Sequence, residues 1–204
     1  MIDSVFAIIP ALNPPDALWS VVGSLTESSF AGVIVIDDGS DASFRPLFDE
    51  LEALPHVDVL RHAVNLGKGN GLRTGMNHAL NLDPGCVGVV TLDADGQHLT
   101  GDVGNVAAAL REHSEDLILG ARAWEGTVPL RSRFGNTLTR GPFRVLAGQS
   151  LTDTQTGLRC IFRGFTPTLL HMTCGLRVSV HYCTVAAIAS ATSEFSRCLT
   201  PCCM

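Results

Sequence analysis

VGVVTLDADGQH, from Val87 to His98, is an apolar run that breaks off into two acids, a glycine and an amide. A short Val-rich run of this kind is the pattern of a strand buried on both faces, and an Asp-Gly exit marks a turn. Four other runs share the composition: Val5–Ile9, Val33–Ile36, Val57–Leu60 and Leu117–Leu119. Helical spacing fills the gaps between them. Leu18, Val21, Val22 and Leu25 recur at i, i+3, i+4 and i+7, as do Phe44, Leu47, Phe48 and Leu51, and Leu72 to Leu82 and Asp102 to His113 read as further helices. Strands alternating with helices specify an α/β class, a three-layer α/β/α sandwich of Rossmann-like kind around a mostly parallel sheet.

The totals narrow the function. At 204 residues the chain is long enough for one well-buried domain. A formal net charge of -6 and a pI near 5.5 are the reverse of the basic footprint of a nucleic-acid binder, so nucleic acid is set aside. Charge is unevenly placed: from Arg122 to Arg163 there are seven arginines against Glu125 and Asp153. Such a cationic island serves either as a solvated helical face or as an anion site. The first basic residue is Arg45, so the start lacks the charged region of a secretory signal, and no apolar run approaches a membrane span. The expected location is cytoplasmic, at most peripheral to the inner face of a membrane. Of seven cysteines, six lie at or after Cys160, with no zinc-site spacing. Residues 1–163 are expected to form the domain, and 164–204, cysteine-rich and almost free of charge, an atypical tail of altered or truncated character.

An open parallel sheet binds ligands outside the carboxyl ends of its strands. The segments that follow the first four strands are Pro10-Ala11-Leu12-Asn13, Asp37-Asp38-Gly39-Ser40, Asn65-Leu66-Gly67-Lys68-Gly69 and Asp93-Ala94-Asp95-Gly96-Gln97-His98, all polar or glycine-punctuated. While the chain stays extended, Asp93, Asp95 and Gln97 share one face and offer three hard oxygens, donors that suit Mg2+ or Mn2+ bridging a diphosphate. The other reading is an Asp-rich turn capping the next helix. Of the adjacent Asp37 and Asp38, one can face a ligand while the other braces the turn; Asp-Gly-Ser also builds a turn unaided. NLGKGNG holds Lys68, the only lysine, and leads into a helix. It suits either phosphate at a helix start or a loop that needs positive φ, and it fits neither the P-loop nor the dinucleotide fingerprint.

In their order, IIPALN, VIDDGS, NLGKGNGLRTG, TLDADGQH, LGAR and LTDTQTGLR resemble the family 2 glycosyltransferases of GT-A fold, and within them the dolichol-phosphate mannosyltransferase and polyprenyl-phosphate glycosyltransferase branch. The likeness runs from about Val5 to Arg163. It implies an inverting transfer of a sugar from a nucleotide diphosphate-sugar donor to a lipid-linked phosphate acceptor at the membrane surface. It also implies roles for residues. Pro10, Ala11, Asn13, Asp37, Asp38, Lys68 and Asp93 would hold the nucleotide. Asp93, Asp95 and Gln97 would hold the metal. Arg122, Arg131 and Arg133 would receive the acceptor's phosphate, and Asp153, Gln155 and Asp95 would stand at the reacting centre. The same donor half would serve a soluble or protein-bound sugar acceptor, or a nucleotide-binding remnant without turnover. Where family members carry an acid after the first-motif Asn, this chain has Pro14-Pro15. A sugar-1-phosphate nucleotidyltransferase would need a Gly-rich, Arg-bearing loop after the first strand, which PALNPPD is not.

Overall fold

The computed structural model describes residues 4–110, 117–121, 157–171 and 201–203. Among the described residues, seven strands form one sheet in the order β3-β2-β1-β4-β6-β5-β7. They are β1 (Val5–Ala11), β2 (Gly32–Asp37), β3 (Val57–Arg61), β4 (Gly88–Thr91), β5 (Leu117–Ala121), β6 (Arg159–Phe162) and β7 (Pro201–Cys203). β1 pairs in parallel with β2 and β4, as do β2 with β3 and β5 with β7, whereas β6 runs antiparallel between β4 and β5. The expected mostly parallel sheet is therefore present, and the five strands read from apolar runs fall on β1 to β5. The sequence pattern passes over β6, because RCIF is short and opens on an arginine.

Both faces are covered. Against one face lie α1 (Ala17–Thr26), α2 (Arg45–Glu52) and α4 (Thr100–Ala109), which bury Leu18, Val22, Leu25, Phe48, Leu51, Val103 and Val106 against Val5, Ala7, Ile9, Val33, Val35 and Val90. α3 (Lys68–Leu82) and α5 (Thr166–His171) cover the other, where Leu72, Met76, Ala79 and Leu169 meet Phe6, Ile8, Ile34, Ile36 and Ile161. Strand residues alternate between these two clusters with the period of two that a pleated strand imposes. The result is the three-layer α/β/α sandwich. Gly75 sets how closely α3 approaches: a Cβ there would stand 2.6 Å from Ile8 Cγ2 and 2.9 Å from Ile36 Cδ1. Beyond Gly164 the described chain still belongs to the core, with Phe165 and Leu169 buried. Arg163 Nη1 donates to the Asp83 carbonyl at 3.3 Å. Among the described residues no helix is long and apolar enough to cross a membrane.

Parallel pairing places the carboxyl ends of β1, β2, β3 and β4 on one edge, with Ala11 level with Asp37, Asp37 with Arg61, and Ile8 with Thr91. Because β6 is antiparallel, its beginning reaches that same edge, where Arg159 is level with Thr91.

Candidate active site

Three of the edge loops are sewn together. Asn13, at φ 46 in a region where Asn is tolerated, donates its backbone N–H to Ser40 Oγ at 3.0 Å. Its side-chain amide donates to Asp41 Oδ2 at 3.0 Å and accepts from Asp41 N at 2.9 Å. The loop after β1 is thereby fixed to the loop after β2. Asp37 and Asp38 part company as alternate strand neighbours must. Asp37, half-buried, accepts the Ser40 N–H at 2.8 Å and closes the Asp-Gly-Ser turn. Asp38 is only 3% exposed. It accepts from Leu66 N at 3.0 Å, from Gly67 N at 2.8 Å and from His62 Nδ1 at 2.7 Å. A buried carboxylate of this kind is tolerable only when so fully supplied with donors.

α3 begins at Lys68, four residues earlier than the Leu72 start expected from apolar spacing, because Gly67, at φ 90, turns the chain into it. NLGKGNG is thus both of the things it suited: a loop with a positive-φ glycine, and a helix start. The Lys68 ammonium donates to Asp93 Oδ1, joining the β3–α3 loop to the end of β4.

The DADGQ segment departs from the extended arrangement. β4 ends at Thr91, residues 94–96 turn with Gly96 at φ 74, and Asp95 Oδ1 accepts the Gln97 N–H at 3.0 Å. Alternate facing therefore does not extend to Gln97. Local Asx hydrogen bonding competes successfully with the strand. Asp93 is half-buried, while Asp95 and Gln97 are exposed at the mouth of the edge. Among the described residues no group of three or more His, Cys, Asp or Glu side chains forms a metal cage. One exposed and one half-buried carboxylate at this mouth suit a hard cation that takes its remaining oxygens from water and substrate phosphate, as Mg2+ does.

Two further groups at this edge carry no local sequence signal. Gly157, just before β6, sits so close to Asp93 that a Cβ would overlap its carboxylate, and its carbonyl accepts from Thr91 Oγ1 at 3.1 Å. His62 joins Asp38 to Thr74 on α3, with Nε2 3.0 Å from Thr74 Oγ1. Only three-dimensional proximity links residues so far apart in sequence. Asp153, Gln155, Arg122, Arg131 and Arg133 lie outside the described residues. Cys86 and Cys160 are free, buried thiols. Burial raises both, Cys160 up to about 12, which disfavours the thiolate form of either.

Residues 6–170 match the model of the family described as glycosyl transferase family 2. An uncharacterized protein of Methanocaldococcus jannaschii is 31% identical over 161 residues, covering 77% of this chain and 64% of that protein. The UDP-N-acetylglucosamine--dolichyl-phosphate N-acetylglucosaminyltransferase of Methanococcus voltae is 30% identical over 172 residues, 76% of this chain and 68% of its own length. This chain therefore spans about two thirds of either relative. Among solved structures, glucosyl-3-phosphoglycerate synthase from Mycobacterium tuberculosis in complex with phosphoglyceric acid superposes with a TM-score of 0.57 at 21% identity, covering 79% of this chain and 57% of that one. That likeness is one of fold, the GT-A arrangement. The matched span takes in all four strand-end loops and most of the chain, and the chain belongs to glycosyl transferase family 2.

Proposed function

We propose that this chain is an inverting, metal-dependent transferase that moves a sugar from a nucleotide diphosphate-sugar to a polyprenyl, dolichyl-like phosphate. The observation that carries the reading is the Lys68–Asp93 pair at the carboxyl edge, with Asp95 open beside it. A cation and two carboxylates there form a site where diphosphate and divalent metal can share charge. The nucleotide is assigned to the edge of β1 and β2, near Pro10, Ala11, Asn13 and the Asp37–Asp38 pair, with its diphosphate toward Lys68 and Asp93. Asp93 and Asp95, with Gln97 at the rim, would hold Mg2+ or Mn2+. When bound, such an ion neutralises charge gathering on the nucleoside diphosphate leaving group.

Lys68 contributes a fixed positive charge toward the same oxygens and, through α3, the favourable end of a helix dipole. An acceptor phosphate, with its second pKa about 6, is already a nucleophilic anion at neutral pH. Asp153 and Gln155 are then needed to orient the reactants rather than to abstract a proton, and Arg122, Arg131 and Arg133 to receive the acceptor's charge. The activity for which the Methanococcus voltae relative is named, on dolichyl phosphate, supports the lipid class of acceptor, which would place the chain at the inner membrane surface.

The test incubates the full chain with UDP- and GDP-sugars and Mn2+, offering either polyprenyl phosphate in detergent or soluble sugars. Labelled lipid is the expected product. Transfer to soluble sugars alone would replace the acceptor class, and nucleotide binding without any transfer would identify a binding remnant.

A further inference from the structure

We infer that His62 is a positioning residue of the donor site, acting through Asp38 to hold the Lys68 loop; the inference rests on the donor-site reading above. His62 follows β3, and its side chain is 9% exposed. Both ring nitrogens have partners: Asp38 Oδ1 at 2.7 Å from Nδ1 and Thr74 Oγ1 at 3.0 Å from Nε2. A carboxylate only accepts, so Nδ1 carries the proton toward Asp38, and Nε2 shares a hydrogen bond with the Thr74 hydroxyl, which can donate or accept.

Asp38 has other work on its remaining lone pairs. It gathers the N–H groups of Leu66 and Gly67, the two residues immediately before Lys68. Gly67 is the residue whose positive φ starts α3. The orientation of the first helical turn, and with it the Lys68 ammonium on Asp93, therefore depends on where the Asp38 carboxylate points. His62 fixes that direction by tying Asp38 to Thr74, six residues into the same helix. The loop is thus anchored from both ends through one imidazole. A carboxylate without this brace could still accept from one amide, but it would not be held for two.

The two ring nitrogens can be separated by amide substitutions. His62→Asn puts an N–H near the Nδ1 position and keeps the donation to Asp38. His62→Gln puts its amide near Nε2, keeping the Thr74 contact and losing the Asp38 one. The experiment measures amide hydrogen exchange at Leu66 and Gly67 in the full chain, together with UDP and GDP affinity in the presence of Mn2+. His62→Gln is expected to speed exchange at Leu66, whose N–H shares Asp38 Oδ1 with His62, and weaken the bound nucleotide, each about tenfold, and to affect Gly67 less, since its N–H also donates to Asn65 Oδ1 at 2.8 Å. Amides in β1 and α1 should keep their protection. His62→Asn should restore exchange and affinity to within about threefold. Wild-type exchange in His62→Gln, or equal damage from both substitutions, would overturn the inference, the second because it would trace the effect to ring volume. Should the wild-type chain bind neither nucleotide, the donor-site reading fails instead, and the exchange at Leu66 and Gly67 still decides the role of His62.

Discussion

Two corners of one sheet edge solve opposite problems. At the β2–β3–α3 corner the polar groups are turned inward onto protein partners: Asp38 takes three donors, His62 has two partners, and Asp37 closes its own turn. At the β4 exit the acids are more accessible, with Asp95 exposed and holding one bond to its own turn and the half-buried Asp93 meeting a lysine that is itself 47% exposed. The difference assigns the work. A carboxylate already saturated by protein donors, as Asp38 is, determines geometry, and one with spare lone pairs facing water, as Asp95 has, is available to a ligand.

The largest effect should come from the open corner. Asp95→Ala is expected to reduce sugar transfer at least about a thousandfold, some 4 kcal/mol of barrier, because a hard oxygen toward the metal is lost. Its thermal unfolding should shift by no more than about 0.5 kcal/mol, as for an exposed side chain outside the core. Measuring turnover and melting on the same sample tests both halves. Retained turnover would remove Asp95 from the metal assignment.

At the closed corner the order reverses. Asp38→Ala leaves the Leu66 and His62 N–H groups without this acceptor, while Gly67 N–H keeps Asn65 Oδ1 at 2.8 Å, at about 1–3 kcal/mol for each group left unpaired and with less than full additivity. A loss of about 3 kcal/mol in urea unfolding is expected. Asp38→Asn should recover part of it, since an amide oxygen still accepts from the loop. A destabilisation by Asp95→Ala as large as that by Asp38→Ala would erase the distinction between the corners.

How far this edge was legible follows from the range of each interaction. The runs ending at Ile9, Ile36, Leu60 and Leu92 are periodic and local, so strand positions and the convergence of four loops could be read directly. The shared-face expectation for Asp93, Asp95 and Gln97 assumed an extended chain, and it was undone by a turn whose signal, Asp-x-x with Gly96, lay in the same five residues. α3 starting at Lys68 rather than Leu72 reflects polar residues in its first turn, which apolar spacing does not register. The partnership of Asp38 with His62 spans 24 residues, and that of Thr91 with Gly157 spans 66. No pattern along one chain encodes such distances. Gly157 in particular looks like any loop glycine until Asp93 is found lying where its side chain would be.

That contact gives a smaller and more selective perturbation. Gly157→Ala forces a methyl onto the Asp93 carboxylate and should cost about 1–3 kcal/mol, the usual range for overpacking. The penalty should vanish in the Asp93→Ala background, since the three nearest atoms to the new Cβ all belong to that carboxylate. A double-mutant cycle by chemical denaturation isolates the coupling. If Gly157→Ala costs as much in the Asp93→Ala background as in the wild type, the glycine answers to something other than the metal-side acid.

A small change in stability is also expected from the residue that joins the corners. Lys68→Met removes an ion pair whose members are 47% and 28% exposed, a class usually worth about 0.2–1 kcal/mol. Melting should therefore shift little, and less still at high salt, where exposed charges are screened. The consequence for binding should be larger than for folding, because the ammonium is assigned to the donor diphosphate as well as to Asp93. An unfavourable change of about fivefold to tenfold in nucleotide diphosphate affinity is expected, in keeping with one charge-assisted hydrogen bond. Nucleosides without phosphate should bind equally well to both forms. A loss of affinity shared by nucleoside and diphosphate would place Lys68 among the base contacts, and would make the two corners a single nucleotide pocket rather than a scaffold and a charge site.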